Sequence, residues 1–184
     1  IKDRYFQFRN TLLGNPSIKD VTGTMEEPSG QTMDAMPFEM TGISIDKKDQ
    51  LLYVMPADDN FFRFFNLVIT GGNNLSKYSS ETDKEEYILN ETAMKFLGFK
   101  APGDVIGRNF KPVFDIQGIF KGGVIVGVVK DFQYSTMKEK IKPLVFFRKQ
   151  IWYWTFMVKV DSVHTDESIR SVKSAWEKVY PEYA

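Results

Sequence analysis

The run Val124-Ile125-Val126-Gly127-Val128-Val129 is too short for an ordinary helix, almost wholly apolar and rich in β-branched side chains, so it specifies a buried strand. The rest of the chain has to cover it. Ile1, Tyr5, Phe8 and Leu12 fall at helical spacing, and Gly14, in a left-handed cap, with Pro16 stops this amphipathic helix near Leu13. Ile18 to Met25 reads as a strand followed by the breakers Pro28-Ser29-Gly30. Pro37 to Ile45 and Leu51 to Met55 read as a hairpin turning at Asp46-Lys47-Lys48-Asp49. Asp58 or Asp59 caps a short helix burying Phe61, Phe62, Phe64 and Phe65. Ser76 to Glu86 reads as a surface loop and Tyr87-Ile88-Leu89 as a strand; Asn90 then caps a helix that stops at Gly98. Leu144 to Phe147 is a strand. In Ile151 to Val160, Trp152, Trp154, Phe156, Val158 and Val160 share an apolar face, with Tyr153 on the other. The last helix starts near Thr165, carries Asp166 and Glu167 in its positive first turn, buries Ile169, Val172, Trp176 and Val179, and closes at Pro181. Strands in clusters with helices between, without steady βαβ alternation, predict an α+β fold of mixed or antiparallel sheets with flanking helices.

The same residues narrow the chemistry. A chain of 184 residues can bury a core without a disulfide, and the absence of Cys removes thiol catalysis, thiolate zinc sites and iron–sulfur clusters. With 24 Lys+Arg against 24 Asp+Glu there is no basic field, so no nucleic-acid partner is expected. His164, the only histidine, stands just before a helix and reads as a loop or capping residue. Gly71-Gly72 and Gly118 through Gly127 lack the helix and Lys-Ser/Thr pair of a phosphate loop and read as turns. Asp46, Asp49, Asp58 and Asp59 lack the spacing of a calcium loop, and Ser135-Thr136 lacks a nucleophile elbow. Glu26-Glu27 and Glu85-Glu86 sit in polar stretches as solvated carboxylates. No enzyme activity, cofactor or metal is therefore expected. The aromatic triple Trp152-Tyr153-Trp154 suits either core packing, the better account, or a ligand face; Tyr153, opposite the two indoles, is the interface candidate.

Four segments in order carry a resemblance: Tyr87 to Gly98, Val105-Ile106-Gly107-Arg108, Val124 to Phe132, and Lys140-Ile141-Lys142-Pro143-Leu144. Together they resemble the MacB-like periplasmic core domain, the extracytoplasmic insertion between the first and second transmembrane helices of FtsX-type ABC transporter permeases. Its motif residues here are Asn90, Glu91, Gly98, Gly107, Gly127, Asp131, Phe132 and Pro143. Locally, Asn90 caps a helix, Gly98 ends it, Gly107 permits a tight turn, and Gly127 lets a neighbouring backbone or ring come close. Where family members carry Gly-Arg followed by an aromatic, this chain has Gly71-Gly72-Asn73-Asn74-Leu75. The resemblance implies a porter-like subdomain from about residues 1–50 plus 140–184, with a second α/β subdomain, 51–139, inserted. It further implies an excised, non-catalytic ectodomain on the periplasmic side of the inner membrane of a Gram-negative bacterium. In it the first helix would continue the first membrane helix, and Tyr180 to Tyr183 would lead back to the second. Implied partners are a second permease copy through the membrane region, a cytoplasmic ATPase subunit, and a periplasmic or outer-membrane protein. The alternative is an extracytoplasmic ligand-sensing domain of a membrane receptor. Three further membrane helices after residue 184 mark the permease; one, followed by a kinase-like module, marks the receptor.

Overall fold

The run from Val124 to Val129 lies in the strand at which the main sheet closes on itself. The computed structural model describes residues 4–27, 34–43, 51–77, 85–113 and 118–183. Within them run α1 (Tyr5–Leu13), β1 (Ile18–Thr24), β2 (Ala35–Met40), β3 (Leu51–Pro56), α2 (Phe61–Phe64), β4 (Ile69–Gly72) and β5 (Glu85–Asn90). There follow α3 (Glu91–Phe96), β6 (Asn109–Pro112), β7 (Gly123–Val129), β8 (Leu144–Phe147), β9 (Thr155–Val160) and α4 (Thr165–Val179). Seven strands form one sheet in the order β4-β7-β5-β8-β3-β2-β6. β6 returns to the start of β7, with Asn109 opposite Val124 and Phe110 opposite Gly123. β4 takes the other half of that edge, with Gly72 opposite Gly127. Six strands thus close into a ring, a barrel, which occupies the exposed backbone groups an open sheet would leave at its edges. β3–β8 and β5–β7 are parallel and the other pairings antiparallel, so the expected α+β fold with mixed sheets is what forms.

Period-two alternation sorts the ring's side chains. Met36, Phe38, Leu52, Val54, Tyr87, Leu89, Phe110, Ile125, Val145 and Phe147 form one buried cluster. It draws on all six ring strands and is therefore the interior. The alternate residues Met55, Ile88, Leu144 and Phe146 form an outer cluster, covered by Phe61 and Phe62 of α2 and by Tyr134. A third cluster, Phe8, Leu12, Ile18, Val21, Ala175, Val179 and Tyr180, lies between α1, α4 and the separate antiparallel pair β1–β9.

β2 and β3 do pair antiparallel, but only Ala35 to Pro37 meet Tyr53 to Leu51, while Phe38 to Met40 pair with β6; the turn at Asp46 to Asp49 lies outside the described residues, as do Ile1 and Pro28 to Gly30. Several expectations need correction. The helix stops at Leu13, but Gly14 stays right-handed with φ −69°. The N-cap of α2 is Asn60 rather than Asp58 or Asp59, and Phe65 falls beyond its end, half-buried. Gly71 and Gly72 form part of β4 rather than a turn, and Glu85 and Glu86 open β5. In α4 the buried positions are Ser168, Ala175 and Val179, while Ile169 is 60% exposed. The small residues Ser168 and Ala175 let the helix lie close, and Ser168 Oγ reaches Ser17 O at 3.2 Å, turning the stripe away from Ile169. Tyr153 is fully buried and Trp154 is 59% exposed, the reverse of the expectation. A 3-10 turn at Gln150–Trp152 precedes the strand, which begins only at Thr155, so strand alternation does not govern the aromatic triple. The division 1–50 plus 140–184 against 51–139 separates β2 from its hydrogen-bonded partner β3, and β8 from β3 and β5. No helix among the described residues is long and apolar enough to cross a membrane.

Candidate functional site at the joint between the two sheets

α1 and α4 lie antiparallel and in contact along their lengths. Asn15 Nδ2 donates to Ser171 Oγ at 2.5 Å, Phe8 meets Trp176 edge-on at 5.7 Å, and Arg4 donates to Val179 O and pairs with Glu182. The Arg4 guanidinium also sits 5.0 Å above the Tyr180 ring. The beginning of α1 and the end of α4 are therefore side by side.

Another side of α1 reaches the barrel through one buried carboxylate. Asp58 stands between β3 and α2 with no solvent exposure. Its Oδ2 accepts from Tyr5 OH at 2.6 Å and from Arg9 Nη1 at 3.3 Å, and Arg9 also pairs with Asp59 at 3.2 Å. Its Oδ1 accepts from Thr22 Oγ1 at 2.5 Å and from the Asn60 backbone N–H at 3.2 Å. Asn60 Nδ2 continues the network to Asp20 Oδ1 and Val21 O, at 2.5 and 2.7 Å, and Arg63 joins Asp20 to Asn60 from outside. The backbone adds Asp58 N–H to Gly23 O at 3.2 Å and a bridge between Thr24 and Ala57. One carboxylate thus gathers α1, β1 and the β3–α2 link.

Burial pushes the Asp58 carboxyl above its ordinary value, more than the bonds from Thr22 and Tyr5 and the charge of Arg9 pull it down. The Tyr5 phenol is driven up by burial and by Asp58, which keeps it a hydrogen-bond donor. Burial works against the Arg9 charge, but Asp58 and Asp59 outweigh it. Gly23 makes the joint sterically possible: a Cβ there would stand 2.9 Å from the Tyr5 ring and 3.0 Å from Tyr153, rings that meet edge-on at 5.1 Å. Gly23→Ala is expected to cost about 1–3 kcal/mol of stability by overpacking, read from urea unfolding. Unchanged stability would mean that the two tyrosines are not wedged over Gly23.

The other candidates scatter. His164 is exposed at the N-cap of α4, 3.9 Å from Asp161 Oδ1. Ser135 Oγ donates to Glu139, Lys149 pairs with Glu85, and Glu86 accepts from Ser76. No three His, Asp or Glu side chains among the described residues group to hold a metal ion.

No family model matches the chain, and no curated protein matches its sequence. Solved structures do. The periplasmic region of MacB from Actinobacillus actinomycetemcomitans is similar with a TM-score of 0.58 at 14% identity, covering 94% of this chain and 72% of that one. The extracellular domain of the noncanonic ABC-type transporter YknZ from Gram-positive bacteria gives 0.61 at 12% identity, covering 94% of this chain and 81% of that one. A domain assigned to a permease protein of Porphyromonas gingivalis gives 0.57 at 14%, covering 89% and 71%. The fold is that of the MacB-like periplasmic core domain.

Within this MacB-like fold, five of the eight motif residues gather where β5 and β7 end and β8 begins. Asn90 Oδ1 accepts from Ala93 N at 2.8 Å, capping α3, and from Leu144 N at 2.9 Å, while its Nδ2 donates to Lys142 O at 2.8 Å. Asp131 accepts from Thr92 N and Thr92 Oγ1, both at 2.8 Å, and Asp131 N donates to Glu91 at 3.4 Å. Phe132 packs 6.1 Å from Phe146, and Pro143 O accepts from Tyr53 N at 3.0 Å. Gly98 and Gly107 lie elsewhere, with φ of 91° and 82°, left-handed values that suit glycine. A Cβ on Gly127 would stand 2.3 Å from Asn73 O, the close backbone approach expected of that position. These contacts hold β5, β7, β8 and α3 together. Asn90→Ala removes a cap and leaves Leu144 N and Lys142 O unpaired; a loss of about 2–4 kcal/mol is expected in urea unfolding. A loss of only the cap's share would show that the bonds to β8 contribute nothing. Tyr153, the interface candidate, is closed inside the joint. Sequence reasoning weighed Asp58 only as a cap or calcium ligand, and its burial has no local signature.

Proposed function

We propose that this chain is the extracytoplasmic domain of an ABC transporter permease, a non-catalytic lever that carries ATP-driven movement of membrane helices outward to cargo or to a partner protein. The observation behind this reading is the adjacency of Arg4 and Glu182 combined with the Asp58 joint. Two tethers would leave from one end, and α1 is bonded to both α4 and the barrel. A shift of α1 then has to move Asp58 or break its bonds, because packed and hydrogen-bonded elements shift as rigid bodies. In this reading α1, β1, β9 and α4 form the membrane-proximal, porter-like unit. The ring of β2 to β8 is the inserted unit, bounded where the chain leaves β1 and where it enters β9. The partners are a second permease copy, a cytoplasmic ATPase and a protein on the far side, and the location is the outer face of a membrane, periplasmic in a Gram-negative cell.

The test is a distance measurement in the full-length transporter. Spin labels at the exposed positions Gln7 on α1 and Lys173 on α4 are expected to change their separations between the two copies when ATP replaces the nucleotide-free state. Equal distances in both states would remove the lever.

A further inference from the structure

The chain passes between the two-stranded sheet and the ring twice, after β1 and before β9. Beside both passages lies a cleft of about 290 Å³. Met25, Met36 and Val54 form its floor, exposed by only 3, 6 and 1%. Ala35, Trp152, Trp154 and the exposed Asp34 complete its lining. The floor, the Trp152 ring and the backbones at Asp34 and Trp154 are held in place. Met25 N–H donates to Pro56 O at 3.2 Å, Met36 is paired opposite Leu52, and Val54 N–H donates to Asp34 O at 3.0 Å. The Trp152 ring is packed by Phe120 and Phe147 at 5.4 and 5.9 Å, and Trp154 N–H donates to Thr24 O at 3.0 Å. The cleft is therefore formed before anything enters it, which lowers the ordering cost of binding.

Its chemistry selects the occupant. Indole faces and thioether sulfurs are electron-rich and polarizable and attract diffuse positive charge, while the buried floor rewards an apolar body. The Asp34 carboxylate makes no ion pair with a Lys or Arg among the described residues. An anion would meet that carboxylate and the negative ring faces; a neutral molecule would gain burial alone. We propose that this cleft binds a small organic cation with an apolar body. Met25 and Trp154 flank the paired ends of β1 and β9, whereas Met36 and Val54 belong to the ring, so the occupant touches both bodies. The site stands independently of the transport reading, and its test needs no transport.

Benzyltrimethylammonium is the probe and phenylmethanesulfonate its charge-reversed control. The chain has three tryptophans, so its indole N–H signals in a nitrogen–proton correlation spectrum resolve the site from Trp176, whose Nε1 donates to Tyr183 O at 3.2 Å in α4's own surroundings. The cation is expected to shift the Trp152 and Trp154 signals saturably and leave Trp176 in place. Trp154→Ala is expected to abolish saturation, and Asp34→Asn to weaken binding about fivefold, with amide dispersion preserved in both. The proposal is overturned if neither indole moves, if Trp176 moves with them, or if the sulfonate shifts them as much as the cation.

Discussion

Gly123→Ala is expected to lower the unfolding free energy by about 3 kcal/mol or more, the upper range for forcing atoms into a packed interior. Gly123 sits where the ring closes, opposite Glu85 of β5 on one edge of β7 and Phe110 of β6 on the other. A Cβ there would lie 1.6 Å from Glu85 O and 2.4 Å from Glu85 C. Those are backbone atoms of a paired strand, which cannot swing aside as a side chain can. Relief requires β5 and β7 to part at their beginning, and with them the β6–β7 pairing that shuts the barrel. Gly103→Ala is the control, because a Cβ at Gly103 meets nothing within 4 Å; its effect should stay within about 0.5 kcal/mol. Equal urea midpoints for the two variants would show that the strands do not meet at Gly123 as described.

Asp58→Ala is expected to cost about 3–5 kcal/mol, the range for removing one member of a buried charged pair. The loss falls on the partners left behind: the buried Tyr5 hydroxyl and Thr22 hydroxyl lose their acceptor, and Arg9, with 14% of its side chain exposed, loses one of its two carboxylates. Asp58→Asn should be milder, since its Oδ1 can still accept from Thr22 and from Asn60 N. The asparagine variant also isolates the pH dependence. The folded protein holds the Asp58 proton more tightly than the unfolded chain, whose carboxyl keeps the ordinary value of 3.8. That contribution to stability is complete below 3.8 and is lost as pH rises through the higher folded value. Urea unfolding across the acid range should show a component in the parent protein that declines with rising pH and is missing from Asp58→Asn. Matching slopes would mean that Asp58 is not perturbed.

Local signals were legible wherever a single element settles the outcome. Asn90 caps α3 because a side-chain oxygen three residues before an orphan N–H has an immediate partner, and nothing distant competes. The strand at Val124 to Val129 follows from its own residues. In the aromatic triple Tyr153 turns inward and Trp154 outward because a 3-10 turn intervenes before β9 and breaks the alternation. The stripe of α4 rotated for a similar reason: contact with Ser17 and α1 favours small residues at Ser168 and Ala175 over the larger apolar side chain of Ile169.

From its residues alone, this chain set its α+β class, most of its strands, the end of α1, the cap of α3, the start of α4 and the ordered motifs that point to a MacB-like domain, all properties carried by neighbours in sequence. Folding in three dimensions decided the closure of the ring, the inward turn of Tyr153 and the role of Asp58. Those depend on groups far apart in sequence: Asp58 is 53 residues from Tyr5 and 36 from Thr22. A carboxyl group can be buried away from water only where such distant partners converge on it, and no stretch of neighbouring residues encodes that convergence.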